Sequence, residues 1–144
     1  MMSEYFNKRS EHITNSHKEL LSRINVEKES TNGIYNRFEN PVLTANHAPI
    51  EWRFDLDEKN NPFLLERFGI NAVFNCGAIK FNNKYVLAAR VEGKDRKSFF
   101  AIAESENGID NFIFWKYPIV MPPSKEPETN LYDMRLVLHE DGWI

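Results

Sequence analysis

Four short apolar runs decide the fold: AVFNCGAIKF (72–81), YVLAARVE (85–92), SFFAIAES (98–105) and FIFW (112–115). Turn-forming residues separate them, at 82–83, 93–96 and 107–108. Short runs rich in β-branched and aromatic residues, divided by Asn and Gly, are typical of strands joined by hairpin turns. We therefore predict a four-stranded antiparallel meander over residues 72–115.

The two central runs indicate how this sheet is packed. Neither YVLAA (85–89) nor FFAIA (99–103) alternates polar with apolar residues, and such continuity indicates strands that are covered on both faces. Sheets stacked face to face give this cover. A β-propeller, in which four-stranded blades pack around an axis, and a β-sandwich are the two arrangements that fit.

The first 30 residues are interpreted as a helical extension. Apolar residues recur there at three- and four-residue spacing, which predicts a helix over residues 3–26. Its stripe consists of Ile13, His17, Leu20, Leu21 and Ile24. Short helices depend on packing for their stability, so we expect this stripe to lie on the body of the domain or on a neighbouring subunit.

The segment between the helix and the sheet has weaker signals. Residues 27–33 are polar and are interpreted as a break. Pro41, Pro49 and Pro62 then interrupt every candidate element up to residue 70. Because this stretch is also rich in aromatic residues, we predict an ordered but irregular segment with room for one short strand.

The carboxyl-terminal part predicts one more strand. A proline-rich connection at residues 118–127 leads to an alternating run at 130–139, and residues 140–142 then signal another hairpin turn. The chain ends two residues later, which would leave an unpaired sheet edge. We therefore interpret residues 31–144 as the amino-terminal part of a larger, truncated β domain.

Composition argues against several classes of function. The 18 Lys and Arg residues against 21 Asp and Glu residues give a formal charge of −3 without a dense basic run, so we expect no nucleic-acid partner. No run is long and apolar enough to predict a membrane span. Cys76 has no second cysteine to pair with, and a cytoplasmic location is predicted. The four histidines lack the spacing of a zinc site, so no metal is expected.

Two passages of the sequence carry a family resemblance. The first runs from FNCGA (74–78) to ARVEGKDRKSFF (89–100), and the second from EPETNLYDMRL (126–136) to HEDGW (139–143). They resemble the five-bladed β-propeller family of β-mannoside phosphorylases, glycoside hydrolase family 130, and in particular the branch that acts on a mannosyl-glucose disaccharide. The resemblance extends from about residue 40 to the last residue. Many members have proline where Cys76 stands.

The resemblance implies a fold and a reaction. The fold would be part of an all-β five-bladed propeller, with one full blade and the start of the next after the amino-terminal α-helix. In the reaction, inorganic phosphate would attack the anomeric carbon of a β-linked mannose with inversion, releasing α-mannose 1-phosphate and glucose. Phosphate is the co-substrate, and no other cofactor is implied. The full-length protein would be a homo-oligomer whose phosphate-binding residues lie beyond Ile144.

The same resemblance implies roles for five residues. Asp133 would be the general acid, which in this family protonates the leaving oxygen through the 3-hydroxyl group of the mannose. Asn75 and Arg90 would bind the mannosyl unit, and Arg96 would approach the glucose side. Tyr132 would line the sugar site with its ring. A phosphorylase needs no second carboxylate as a base, because phosphate is already anionic at neutral pH.

Each of these residues also has a purely structural interpretation. In the predicted strand, alternation places Asp133 and Arg135 on one face, where they would form an ion pair without any function. Arg90 has a possible partner in Glu92, although an arginine in an apolar strand is costly unless it is paired or functional. The other assignments have ordinary alternatives, a turn residue for Asn75 and for Arg96 and a core residue for Tyr132.

Three functional hypotheses follow from the sequence. Phosphorolysis of a mannosyl-glucose disaccharide comes first. A phosphorylase or hydrolase of other β-mannosides on the same scaffold comes second, and a non-catalytic sugar-binding or assembly module comes third. Dependence on phosphate separates a phosphorylase from a hydrolase, and the effect of replacing Asp133 separates an enzyme from a binding module.

Overall fold

The structure, a computed structural model, describes residues 3–29, 33–123 and 130–142. Its regular elements are the helix α1 (Glu4–Leu21) and the strands β1 (Glu27–Lys28), β2 (Arg37–Phe38), β3 (Ile70–Phe81), β4 (Lys84–Gly93), β5 (Ser98–Ser105) and β6 (Ile113–Phe114). Two short 3₁₀ helices, Ala45–His47 and Ile50–Trp52, lie between β2 and β3. The prediction of an all-β body preceded by one α-helix is confirmed.

Strands β3 to β6 form the predicted meander. They hydrogen-bond in chain order as a four-stranded antiparallel sheet. Asn82 and Asn83, in the turn between β3 and β4, have φ angles of 48° and 62°. Two successive positive φ angles are what a two-residue type I′ hairpin turn requires. This turn sets the register of the hairpin, which begins with Phe81 opposite Lys84.

One face of the sheet forms a wall of the main hydrophobic core. Four residues of β4 and β5 on this face are completely buried: Ala89, Val91, Ala101 and Ala103. The cover comes from the irregular segment, whose Leu43 and Trp52 pack against the sheet. The Trp52 ring lies with its centre 5.8 Å from the ring centres of both Phe99 and Phe114. The segment before β3 therefore forms a layer over this face of the sheet.

The helix α1 packs on the same segment. Phe6 is buried in a small cluster with Phe54 and Leu64, and Ile13 packs against that cluster. Phe6 lies seven residues before Ile13 and so belongs to the same helical stripe, although the predicted stripe did not include it. The Ser3 hydroxyl caps the helix by accepting a hydrogen bond from the backbone N–H of Phe6. The body of this chain therefore covers part of the helix.

The helix is shorter than predicted. It ends at Leu21 and not at residue 26, because the backbone N–H of Asn25, which would bond to Leu21 in a longer helix, donates instead to Oδ2 of Asp110 at 2.9 Å. Ile24 of the predicted stripe lies beyond the helix and is 69% exposed. Within the described ranges, no helix combines the length and the apolar content that crossing a lipid bilayer takes.

Two predictions about the remaining segments are wrong. The polar break at residues 27–33 contains β1, which pairs with β2 in a two-stranded ribbon. Residues 130–139 are all described and contain no strand. Asp133 has a φ of 51°, a left-handed conformation that interrupts an extended strand. The boundary predicted between residues 30 and 31 lies outside the described residues.

His47 stabilises the segment that covers the core. Its Nδ1 accepts a hydrogen bond from the backbone N–H of Thr44 at 3.0 Å, and the whole residue is only 5% exposed. Burial lowers the pKa of His47 from 6.5 to about 4, and the nearby Arg23 and His17 act in the same direction. The imidazole is therefore neutral in the folded chain at neutral pH, as an accepting Nδ1 requires.

Acid is predicted to destabilise the chain through His47. The unfolded chain protonates this residue below a pKa of 6.5, whereas the folded chain does so only at about 4. The stabilising contribution is therefore complete above pH 6.5 and is lost as the pH falls towards 4. We expect the free energy of unfolding, measured with urea, to fall by roughly 2 kcal/mol between pH 7 and pH 5.

A pair of histidine variants tests this assignment. His47→Asn keeps an acceptor near the position of Nδ1 but cannot be protonated. In this variant, most of the decrease in the free energy of unfolding between pH 7 and pH 5 should therefore disappear. His139→Asn replaces a histidine whose side chain is 73% exposed and should leave the fall unchanged. An equal fall in the wild-type chain and in His47→Asn would show that another group is responsible.

Candidate functional site

The face of the sheet opposite the main core carries the polar side chains. Alternation along β4 directs Arg90 and Glu92 away from the core. The strand register places Phe74 of β3 opposite Arg90 and Ser98 of β5 opposite Glu92. We call this surface the polar face. One side of the sheet thus packs against the main core, and the other side carries hydrogen-bonding groups.

Residues 130–138 lie across the polar face. A Cβ atom added at Gly77 of β3 would lie only 2.7 Å from the carbonyl oxygen of Met134. The missing side chain therefore lets the two backbones approach each other closely. This approach brings Tyr132 and Asp133 over strands β3 and β4.

A β-bulge in β3 directs Asn75 towards this segment. The pairing with β4 passes from Phe74 directly to Cys76, so Asn75 is an extra residue without a partner. Its side-chain amide donates a hydrogen bond to Asp133, with an Nδ2–Oδ1 distance of 2.5 Å. Asp133 has the positive φ angle described above. Two irregular backbone positions, 58 residues apart, thus meet in one hydrogen bond.

Arg90 is held by four neighbours. Its guanidinium carbon lies 4.8 Å from the ring centre of Phe74 and 4.2 Å from that of Tyr132. Its Nε donates to the Ser98 hydroxyl at 2.9 Å, and its Nη2 lies 3.5 Å from Oε2 of Glu92. Cation–π contacts are each worth about 0.5–2 kcal/mol, more when they are desolvated. The guanidinium is therefore positioned before any ligand binds.

Arg96 reaches the site from the turn between β4 and β5. It has a φ angle of 66°, and its side chain is 77% exposed. Its Nη1 lies 3.3 Å from Oε1 of Glu92. The structure thus places the five residues assigned by resemblance on or beside the polar face. Side-chain contacts join them in two pairs, Asn75 with Asp133 and Arg90 with Tyr132, and Glu92 connects Arg90 to Arg96. Their roles in binding and catalysis stay predictions.

Three of the structural alternatives are wrong and two are present. Asn75 lies inside β3 and is no turn residue, whereas Arg96 does lie in the turn after β4. Asp133 and Arg135 are both described and form no ion pair; the guanidinium of Arg135 instead donates to the carbonyl oxygen of Met134 at 3.1 Å. Tyr132 is 57% exposed and is no core residue. Arg90 does pair with Glu92. This pairing leaves room for a ligand, because a guanidinium has five N–H donors.

The structure adds contributors beyond the five residues implied by the family resemblance: Asn71, Phe74, Ser98 and Asn130. The Oδ1 atom of Asn130 accepts from the backbone N–H of Ser98 at 3.0 Å. Asn71 is the extra residue of a second bulge in β3, and its amide donates to Oε1 of Glu92 at 2.7 Å. The available signal was asparagine inside an apolar strand, since asparagine is depleted there. Residues 126–129 and Trp143, which carry part of the family resemblance, lie outside the described residues.

Cys76, next to the bulge, belongs to the packing and not to the polar face. Its side chain packs against the main core cluster. Burial raises the pKa of its thiol, which keeps the group protonated and weakly nucleophilic at neutral pH. Among residues 3–29, 33–123 and 130–142, no three His, Cys, Asp or Glu residues lie close enough together to hold a metal ion.

Comparison with known proteins identifies a curated relative of this chain. The chain is 56% identical over 139 residues to the 4-O-β-D-mannosyl-D-glucose phosphorylase of Bacteroides fragilis. The match covers 96% of this chain and 36% of that protein, so this chain spans little more than a third of the relative's length. No protein-family model matches the sequence. The relative confirms the resemblance to a mannosylglucose phosphorylase.

Gly77→Ala is predicted to lift residues 130–138 off the polar face. The added Cβ would clash with the backbone at Met134, and relieving such overpacking costs about 1–3 kcal/mol. We expect the Tyr132 ring to leave the Arg90 guanidinium, 4.2 Å away in the wild-type chain, measured by NMR as loss of the nuclear Overhauser effects between the two side chains. The exposed neighbour Ala78 supplies the control Ala78→Ser, which should leave these effects unchanged. Wild-type Overhauser effects between Tyr132 and Arg90 in Gly77→Ala would contradict the close approach.

Proposed function

We propose that this chain carries the mannosyl-binding groups and the general acid of a 4-O-β-D-mannosyl-D-glucose phosphorylase. The reaction converts the disaccharide and inorganic phosphate into α-D-mannose 1-phosphate and D-glucose, with inversion at the anomeric carbon. The observation that carries the proposal is the convergence of Asn75, Asp133, Arg90 and Tyr132 on the polar face. The identity to a relative of that name supports the choice of substrate.

Arg90 and Tyr132 have the geometry of a sugar-binding pair. Ser98 and Glu92 engage Nε and Nη2 of Arg90, so we assign the N–H groups of Nη1 to hydroxyl groups of the mannosyl unit. Tyr132 is more than half exposed while it contacts Arg90. Its exposed part suits the apolar side of a pyranose ring.

Asp133 has a hydrogen bond that distinguishes its two oxygens. Oδ1 accepts from the Asn75 amide, so in the protonated acid the hydrogen belongs on Oδ2. From Oδ2 it passes to the 3-hydroxyl group of the mannose, and the proton of that hydroxyl group passes to the leaving glucosyl oxygen. Phosphate attacks from the opposite side of the ring and needs no activating base.

We further infer that the sheet is a blade of a five-bladed β-propeller of glycoside hydrolase family 130. Away from Arg90, the polar face continues into an open groove with apolar walls formed by Ile79, Val86, Ile102, Trp115 and Leu136. A neighbouring blade would cover such a surface. Basic residues of other blades would hold the phosphate, which is the co-substrate, and no other cofactor is needed. Cytoplasmic location and homo-oligomeric assembly complete the proposal.

A chimeric enzyme tests the proposed activity. In it, this chain replaces the matching 139 residues of the Bacteroides fragilis phosphorylase. With 4-O-β-D-mannosyl-D-glucose we expect mannose 1-phosphate to be released only when phosphate is present, measured by chromatography. The matched control is the unchanged Bacteroides fragilis enzyme under the same conditions. Free mannose released regardless of phosphate would favour a hydrolase, and a folded chimera without turnover would favour a binding module.

Asp133→Asn in the chimera tests the acid. An amide cannot donate a proton in this way, so kcat should fall by about 10²–10⁴-fold, the usual contribution of general acid catalysis. Binding of the disaccharide, measured by calorimetry without phosphate, should change little. Asp57→Asn removes a carboxylate away from the polar face and should leave kcat unchanged. An undiminished kcat in Asp133→Asn would remove Asp133 from the mechanism.

A further inference from the structure

We propose that Glu92 is a positioning residue that fixes the guanidinium groups of Arg90 and Arg96 before the sugar binds. This inference rests on the proposed function, because it takes both arginines to be sugar-binding residues. Glu92 would act on the substrate only through them, and more strongly on the glucose side, where Arg96 lies.

Glu92 is a buried carboxylate with partners on both oxygens. The residue is 7% exposed, and a carboxylate removed from water must be paired. Oε1 accepts from the amide of Asn71 at 2.7 Å and from Nη1 of Arg96 at 3.3 Å. Oε2 lies 3.5 Å from Nη2 of Arg90. Two cations thus share one anion, and the cluster keeps one net positive charge.

The bulged Asn71 sets the direction of the Glu92 side chain. It is the extra residue between Ile70 and Ala72 in the pairing of β3 with β4. A bulge re-aims the side chain of the extra residue, and here the amide of Asn71 points at Oε1 of Glu92. β3 therefore supplies two asparagine amides to the polar face, one for Glu92 and one for Asp133.

The two arginines depend on Glu92 to different degrees. Arg90 also contacts Ser98 and two aromatic rings. Arg96 is largely exposed, and in the described part of the chain Glu92 is the partner of its guanidinium. Without the charge on Glu92, Arg96 loses its anchor while Arg90 keeps three of its contacts. Loss of Glu92 should therefore weaken the binding of the glucose unit more than the binding of the mannosyl unit.

The first experiment observes the arginines directly and needs no sugar. In the full chain, ¹⁵N NMR of the Nε–H groups reports how fast each guanidinium rotates. In Glu92→Gln we expect the rotation of Arg96 to become about two- to fivefold faster, the range that the loss of a largely exposed ion pair gives. Glu104→Gln is the matched control, because Glu104 pairs with Lys84 at 2.5 Å and, within the described ranges, with no arginine. Unchanged rotation of Arg96 in Glu92→Gln would overturn the inference.

The second experiment measures the reverse reaction in the chimeric enzyme. With mannose 1-phosphate and glucose as substrates, Glu92→Gln should raise the KM for glucose about tenfold, with smaller changes in kcat and in the KM for mannose 1-phosphate. Arg96→Ala should have a similar effect, and the double variant should add little, because the two residues act as one unit. A purely structural Glu92 would lower stability and leave the KM for glucose unchanged.

The two experiments separate this inference from the proposed function. An inactive chimera, with the NMR result as expected, would overturn the sugar-binding roles on which the inference rests. An active chimera in which Glu92→Gln keeps the original KM for glucose would overturn the positioning role and leave the proposed function standing. If the effects of Glu92→Gln and Arg96→Ala on the KM for glucose were fully additive, the positioning role would likewise be overturned.

Discussion

A positive charge inside a covered β-strand has to be paired, and this constraint on Arg90 organises the polar face. Its side chain is only 17% exposed, so leaving the guanidinium unpaired would cost several kcal/mol. Glu92 and Ser98 satisfy it within the sheet, and Tyr132 contacts it from the segment that crosses the sheet. The same contacts that stabilise the charge also fix the direction of the guanidinium on the polar face.

Deviations from regular strand geometry put the remaining groups in place. β3 contains two extra residues, Asn71 and Asn75, and each directs an amide at a carboxylate of the polar face. Gly77 lets the backbone at Met134 approach. The left-handed φ of Asp133 completes the contact with Asn75. A regular strand at either position would direct these side chains elsewhere, since alternation leaves only two directions.

The parts of the fold that depend on local signals could be predicted from the sequence. The meander followed from its apolar runs and from turn residues such as Asn82 and Asn83, which tolerate the positive φ angles of the hairpin. Residues 130–139 were wrongly predicted as a strand, because alternation does not show whether a neighbouring strand is available for pairing. The carboxyl end of the helix was predicted five residues too late, because the backbone N–H of Asn25 bonds to the distant Asp110 and not along the helix. The family resemblance selected site residues that converge, but the clustering around Glu92 depends on a register shift that no local pattern reveals.

A crystal structure of the chimeric enzyme with 4-O-β-D-mannosyl-D-glucose, grown without phosphate so that the disaccharide persists, would show where the sugar binds. We expect the mannosyl unit on the polar face, with its 3-hydroxyl group about 3 Å from Oδ2 of Asp133 and its other hydroxyl groups near Nη1 of Arg90. A disaccharide bound away from this face, or Asp133 turned to solvent without its bond to Asn75, would show that the polar face is not the sugar site.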